Sequence, residues 1–264
     1  MKFQRVLDPV DKSPIDALLR DGTLWRLLHS VPDFVELSKK GNPRVGLPFV
    51  VSDELLLPPV APSKIVCIGL NYKAHAEEQG KAIPDEPLIF LKATSALIAD
   101  RGTIELPSQS DLIHHEAELA IVIGKTAKRV SVDEAESHIL GYTCANDVTA
   151  RDIQRQLKRY TVAKGFDTFA PLGPVMVSAS SWEPGGKTVT CRVNGETRQT
   201  GTFDDMIVDV ATCIAYISNI MTLHPGDVIM TGTPAGVGPL VDGDTVEVEI
   251  DGIGILTNSV RRLH

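Results

Sequence analysis

The chain has 264 residues, 43% of them hydrophobic and 23% charged, with a formal net charge of −8 at pH 7. That length can bury a large core, and the acidic balance, unbroken by any basic run, excludes nucleic acid and an anionic membrane surface as default partners and leaves a small molecule. No apolar run reaches bilayer-spanning length and the opening Met1-Lys2-Phe3-Gln4-Arg5 lacks the apolar core of a signal peptide, so the default location is cytoplasmic.

From the start of the chain, residues 1–57 mix strand-like pieces with candidate helices at 15–19 and 25–28, enough for a small N-terminal subdomain. Residues 55–63, Leu55-Leu56-Leu57-Pro58-Pro59-Val60-Ala61-Pro62-Ser63, read as a linker, because proline on proline cannot continue a helix. The second unit then spans 58–264. Its β-rich runs at 64–70, 88–91, 119–124, 141–145, 173–177, 188–193, 228–232 and 245–250 are separated by Gly, Pro, Asp and Asn. One helix is clear, at 205–221, where Ile207, Val210, Ala211, Ile214, Ile217 and Ile220 recur at helical spacing before His224-Pro225-Gly226-Asp227. These segments predict an α+β, mostly β domain of rolled or barrel-like form.

Within it, His75 and Glu78 stand three residues apart. On a helical turn formed around a bound substrate, the carboxylate would meet the imidazole and fix its tautomer; in a polar loop the pair would simply be solvated. Further on, His114-His115-Glu116-Ala117-Glu118-Leu119-Ala120-Ile121-Val122-Ile123-Gly124 sets two carboxylates at i and i+2 of a strand, on one face. If that face is sequestered, the repulsion must be relieved by a shared proton or a divalent cation. Asp147, at the end of the strand 141–145 and before a polar helix through Gln154, Arg155 and Lys158, offers a third carboxylate. An all-oxygen set with no Cys or His at zinc spacing suits magnesium first, then manganese or calcium. The same residues also fit a solvent-facing edge strand with Asp147 capping a helix, and spacing does not choose between the two.

Lys164 sits between Val162-Ala163 and Gly165-Phe166, where a buried ammonium would serve an oxyanion or a substrate carboxylate and an exposed one would snorkel. Arg151 and Gln154, one turn apart, offer anion contacts, although Arg151 can equally pair with Asp147 or Asp152. The loop Gly232-Thr233-Pro234-Ala235-Gly236-Val237-Gly238 lacks the Lys-Ser/Thr ending of a phosphate cradle and leads into no helix, which excludes nucleotide binding by that route. Cys67, Cys144, Cys191 and Cys213 lie far apart in apolar surroundings and read as buried thiols. No Gly-x-Ser-x-Gly elbow is present.

Taken together, Ile68-Gly69-Leu70-Asn71-Tyr72-Lys73-Ala74-His75-Ala76-Glu77-Glu78, Pro87-Leu88-Ile89-Phe90-Leu91-Lys92, the 114–124 run, Asn146-Asp147-Val148-Thr149-Ala150-Arg151-Asp152, Ala163-Lys164-Gly165-Phe166-Asp167 and the segment 226–238 resemble the fumarylacetoacetate hydrolase family, in that family's order. The resemblance implies a β-roll catalytic domain, a homodimer, and a divalent metal, Mg2+ or else Mn2+ or Ca2+, on Glu116, Glu118 and Asp147. It puts His75 and Glu78 on a mobile lid as the pair that activates water, places Lys164 in the active site, and makes Arg151, Gln154, Gly232, Thr233 and Tyr72 substrate contacts. A hard cation orients a 2-oxo acid through its carboxylate and keto oxygens and stabilises the enolate formed from it. The implied activity is hydrolysis of a carbon–carbon bond in an acylpyruvate- or fumarylpyruvate-type 2,4-dioxo acid, as in aromatic catabolism. Isomerisation of 2-hydroxyhepta-2,4-diene-1,7-dioate (5-carboxymethyl-2-hydroxymuconate) or decarboxylation of an oxaloacetate-like acid would use the same core, and a non-catalytic metal- and dicarboxylate-binding protein is a reading from another class. Two positions depart from the family: Ala74 stands where many members carry Asp, and Leu70 where acylpyruvate-cleaving members carry Arg.

Overall fold

The computed structural model describes residues 1–40, 44–157 and 159–263. Lys158, expected to extend a polar helix, lies outside the described residues. The chain opens with strands β1 (Lys2–Leu7), β2 (Pro14–Arg20) and β3 (Thr23–Leu27), followed by helix α1 (Val31–Lys39), β4 (Val45–Phe49) and β5 (Leu56–Leu57). The helices expected at 15–19 and 25–28 are therefore strands. Asp21 and Gly22 take φ of 50° and 74°, the two-residue turn whose twist matches a hairpin, and Leu18 pairs with Trp25 and Leu19 with Leu24 across it. Apolar runs this short carry no period that separates helix from strand.

The remaining elements are β6 (Ile65–Gly69), α2 (Lys73–Glu78), β7 (Leu88–Lys92), β8 (Leu97–Ile98), β9 (Thr103–Leu106), β10 (Ile113–His115), β11 (Ala117–Ile123), α3 (Val132–Ala135), β12 (Ile139–Asn146), β13 (Thr149–Ala150), α4 (Arg151–Leu157) and α5 (Tyr160–Lys164). After them come β14 (Ala170–Ser178), β15 (Thr188–Val193), β16 (Glu196–Thr202), α6 (Val210–Ile220), β17 (Val228–Met230), β18 (Gly238–Pro239), β19 (Thr245–Ile250) and β20 (Gly254–Arg262). Helix α6 starts later than its apolar period indicates. Asn71 takes the N–H groups of Ile207 and Val208, at 2.8 and 2.7 Å, so the helix begins only where Asp209 caps it by accepting from the Thr212 N–H.

Among the described residues the strands form three sheets. The largest runs β4-β3-β2-β1-β14-β12-β11-β17-β6-β7, with β5 on β1 and β8 on β14. Strands of residues 2–49 thus extend the sheet that carries the centre of the molecule. A second sheet, β16-β15-β19-β20-β9, packs across β11, β12 and β14, and β13-β10-β18 forms a third. Between the two larger layers Leu119, Ile121, Ile123, Val189, Cys191, Val248 and Leu256 are buried in one continuous core, giving an α+β, mostly β roll. No helix among the described residues is long and apolar enough to cross a membrane.

Candidate active site

Strand register assembles the three carboxylates. β11 and β12 run antiparallel with Ala117 opposite Asn146, so the next pair outward brings Glu116 against Asp147. The Asp147 N–H donates to the Glu116 carbonyl at 2.9 Å, and the Glu116 N–H to Asn146 Oδ1 at 2.9 Å. On the other side β17 pairs with β11, Met230 opposite Ala120, which carries Gly232 beside Glu118; the Gly232 N–H donates to Glu118 Oε2 at 2.8 Å. Gly232 is required at that point: its φ is +96°, and a Cβ there would lie 2.7 Å from the Asn71 Cβ. Carboxylate oxygens of Glu116, Glu118 and Asp147 all lie within 4.8 Å of one another.

All three acids are buried, at 4, 2 and 1% exposure, on an interior strand and its neighbour, which removes the alternative of a solvent-facing edge strand. Asp147 caps no helix. Its Oδ2 accepts from Lys164 Nζ at 2.5 Å and its Oδ1 from Lys92 Nζ at 2.6 Å. Lys164, the last residue of α5, is fully engaged: it also donates to Glu116 Oε2 at 2.7 Å and Thr149 Oγ1 at 2.8 Å, with the Phe90 ring 5.0 Å away. The lysine is buried and ion-paired, not in a snorkelling surface position.

Arg151 pairs with neither Asp147 nor Asp152. Its Nη2 lies on Glu116 Oε1 and its Nη1 donates to Gln154 Oε1 at 2.5 Å, while Nε is buried without a partner among the described residues. Asp152 instead accepts from Ser110 Oγ at 2.5 Å and from the Asp111 N–H at 3.0 Å. The two glutamates consequently differ. Burial alone would raise Glu116, but Lys164 and Arg151 outweigh it and hold the carboxyl below its usual range. Glu118 is pushed well above that range, by burial first and then by Asp147 and Glu116. Among the described residues its one donor is the Gly232 N–H, so it is the acid of the three with no cationic side chain in contact. Three hard oxygen donors with one of them uncompensated fit a divalent cation of the magnesium or manganese type.

His75 lies in the short helix α2, buried to 5% exposure, with Nδ1 3.0 Å from Glu78 Oε2. The other Glu78 oxygen accepts from the Gly236 N–H at 2.8 Å, tying α2 to the glycine-rich loop. A cleft of about 360 Å³ is lined by His75, Glu116, Glu118, Asp147, Arg151, Gln154, Lys164, Gly232 and Thr233, together with Leu70, Phe90 and Tyr160. Two expected contacts sit differently. Tyr72 lines a separate depression with Lys73, Thr200 and Pro234, and its buried hydroxyl has no partner among the described residues. Thr233 reaches the cleft, but its hydroxyl donates to the Ala117 carbonyl at 2.8 Å and accepts from Gln199 Nε2 at 2.7 Å, so only its backbone is free to donate to a ligand.

Lys92 and Gln199 escaped the sequence reading. A usable signal existed for Lys92: strand alternation sets it on the face of Phe90, the buried face, while Leu91 is 41% exposed. Nothing local marks Gln199, which is placed by the pairing of β15 with β16.

Against known proteins, the model of the fumarylacetoacetate (FAA) hydrolase C-terminal domain matches residues 64–261. The mitochondrial oxaloacetate tautomerase FAHD1 of Arabidopsis thaliana is 48% identical over 204 residues, 76% of this chain and 92% of that protein. The crystal structure of 5-carboxymethyl-2-hydroxymuconate delta-isomerase from Mycobacterium smegmatis superposes with a TM-score of 0.88 at 40% identity, covering 100% of both chains. Fumarylpyruvate hydrolase from Pseudomonas aeruginosa, solved with Mn2+ and pyruvate, gives a TM-score of 0.73 at 35% identity over 80% of this chain and 93% of that one.

Proposed function

The chain belongs to the fumarylacetoacetate hydrolase family, a family of enzymes, and from that membership we propose that it is a divalent-cation-dependent enzyme that enolises a 2-oxo acid, its net reaction a proton transfer of the tautomerase or isomerase type. The observation that carries this reading is the placement, in one cleft, of three buried acids, one of them without a cationic partner, beside a buried imidazole already held by a carboxylate. Glu116, Glu118 and Asp147 would hold Mg2+ or Mn2+, which supplies Lewis-acid polarisation of a keto oxygen.

The chain's own residues do the rest. A carboxylate only accepts, so His75 keeps its proton on Nδ1, toward Glu78, and its Nε2 lone pair is left as the base that removes a proton from the carbon beside the keto group. The Lys164 ammonium stands within 2.7 Å of Glu116 and 2.5 Å of Asp147 and places positive charge where the enolate oxygen develops. Arg151 Nε and the Gln154 amide nitrogen are donors for the substrate carboxylate. Leu70 lines the cleft at the position where acylpyruvate-cleaving members carry Arg, so this chain lacks the cation those members place there.

Hydrolysis of a 2,4-dioxo acid is the second reading, favoured by the same His75–Glu78 pair, since that base equally activates water. Mass-resolved product analysis, read together with ultraviolet absorbance, of oxaloacetate, 5-carboxymethyl-2-hydroxymuconate, fumarylpyruvate and an acylpyruvate, each with Mg2+, with Mn2+ and with chelator, separates them. Cation-dependent conversion at constant mass is expected. Two acids from one substrate would establish the hydrolase, loss of carbon dioxide the decarboxylase, and no turnover on any of them would overturn the 2-oxo acid reading. His75→Asn should lower turnover on the order of 10²- to 10⁴-fold. The homodimer and a cytoplasmic site of action belong to the same proposal.

A further inference from the structure

Of the seven residues of β16, Gln199 alone is buried, at 1% exposure. A register shift against β15 aims it inward: Cys191 lies opposite Gln199 and Arg192 opposite Thr197, so Arg198 is the extra residue of a bulge. A buried amide costs stability unless its groups are bonded, and here all four positions are filled. Oε1 accepts from His115 Nδ1 at 2.9 Å and from the Ala117 N–H at 3.0 Å, while Nε2 donates to Thr233 Oγ1 at 2.7 Å and to the Pro234 carbonyl at 2.8 Å. An N–H only donates and a carbonyl only accepts, so the two backbone partners fix the orientation of the amide and put the His115 proton on Nδ1. We infer that Gln199 is a positioning residue for the base: it seats residues 233–236 on β16 and through them holds Glu78 against His75. This inference rests on the reading above that His75 is the base.

The path from the amide to the imidazole is short. Gln199 binds Thr233 and Pro234 directly; two residues on, the Gly236 N–H donates to Glu78 Oε1 at 2.8 Å, and Glu78 Oε2 lies 3.0 Å from His75 Nδ1. The seat is also tight. At Gly236, φ +98°, a Cβ would collide with the Arg198 carbonyl oxygen, and a Cβ on Gly201 would lie 2.6 Å from the Pro234 Cβ. Helix α2, six residues long and ended by Gly80 at φ +62°, has too little order of its own to keep Glu78 in place without that anchor. The Glu78 side chain is 31% exposed, so water competes for it once Gly236 moves.

The same amide reaches the acid strand. Ala117, its backbone donor, stands between Glu116 and Glu118, and the Thr233 hydroxyl donates back to the Ala117 carbonyl at 2.8 Å. Ala117, Gln199 and Thr233 thus close a ring of hydrogen bonds that ties the strand bearing two of the acids to the loop that anchors the base.

The test reads the imidazole directly, by proton NMR of the full chain isotope-labelled at histidine. His75 and His115 should each give a hydrogen-bonded Nδ1–H resonance, assigned by its loss in His75→Asn and His115→Asn. Gly201→Ala leaves the amide in place and pushes Pro234 off its seat; it should lose the His75 resonance and keep that of His115. Gln199→Met should lose both. On whichever 2-oxo acid the wild type converts, kcat of each variant should fall on the order of 10- to 100-fold, with KM and Mg2+ affinity changed less than about threefold. If Gln199 only filled the core, its replacement would lower the melting temperature and leave the His75 resonance and kcat as they are. That result in Gly201→Ala, or in a folded Gln199→Met, overturns the inference, and Gly201→Ala carries the test alone if Gln199→Met does not fold. A wild type without the His75 resonance would remove the pair and the inference with it. A wild type that converts no 2-oxo acid removes the reading of His75 as the base, and the resonances still decide whether the loop holds Glu78 on His75.

Discussion

Glu116 and Glu118 are two residues apart, yet their surroundings shift them in opposite directions. Lys164 and Arg151 hold the first ionised, while the second is buried against two like charges. Replacing Glu118 by Gln should stabilise the cation-free chain, by roughly 1 kcal/mol, because it removes the cost of holding that carboxyl either protonated or as an unpaired buried charge, without removing an ion-pair partner. The same variant should lose the rise in melting temperature that Mg2+ gives the wild type, and scanning calorimetry with Mg2+ and with chelator reads both effects. Lys92→Met acts in the other direction. It strips Asp147 of one of two contacting ammonium groups at a site only 3% exposed, and urea denaturation should show a loss of about 3 kcal/mol. At this scale the sequence was legible where a charge broke an apolar pattern twice in three residues, as in Glu116 and Glu118. A single Lys92 at a strand end gave a weaker break and went unread.

Helix α2 spans only six residues, Lys73–Glu78, too few to hold together by propensity. Its order comes from its ends: the Gly80 stop, and the Glu78 link to the Gly236 N–H. The spacing of His75 and Glu78 predicts that they meet on a helical turn, and they do so on α2, Nδ1 to Oε2 at 3.0 Å. A Cβ at Gly80 would touch nothing within 4 Å, so Gly80→Ala should cost only its backbone strain, about 1 kcal/mol. Hydrogen exchange should then show faster amide exchange confined to residues 76–81, with turnover reduced and the main sheet unaffected. The N-terminal hairpin teaches the converse lesson. Residues 15–19 are apolar enough for either a helix or a strand, and the decision was made outside them, by Asp21-Gly22 and the strand opposite.

Across the whole molecule, the four cysteines are free and buried in the layers of the roll. Burial pushes the Cys191 and Cys213 thiols up to about 12, Arg192 and Arg198 offsetting only part of it at Cys191. A raised folded-state value means that their contribution to stability is complete below the ordinary thiol value of 9.0 and is lost as pH rises from there toward 12. Alkylation at about pH 8 should therefore spare the folded chain and label all four thiols once urea unfolds it; rapid labelling of the native chain would contradict this burial. The sequence by itself determined the β-rich character of residues 64–260 and the spacing of the Glu116–Glu118 and His75–Glu78 pairs, since each is written in a period or spacing a few residues long, while the part of Asp147 came from the resemblance and not from spacing. Only the tertiary structure decided that the three acids share one buried point, that Lys92 and Lys164 both bind Asp147, that Arg151 turns to Glu116, and that Tyr72 faces away from the cleft. Those outcomes depend on which strands pair and in what register, here β12 and β17 on either side of β11, and pairing between distant segments is selected by the core they bury together.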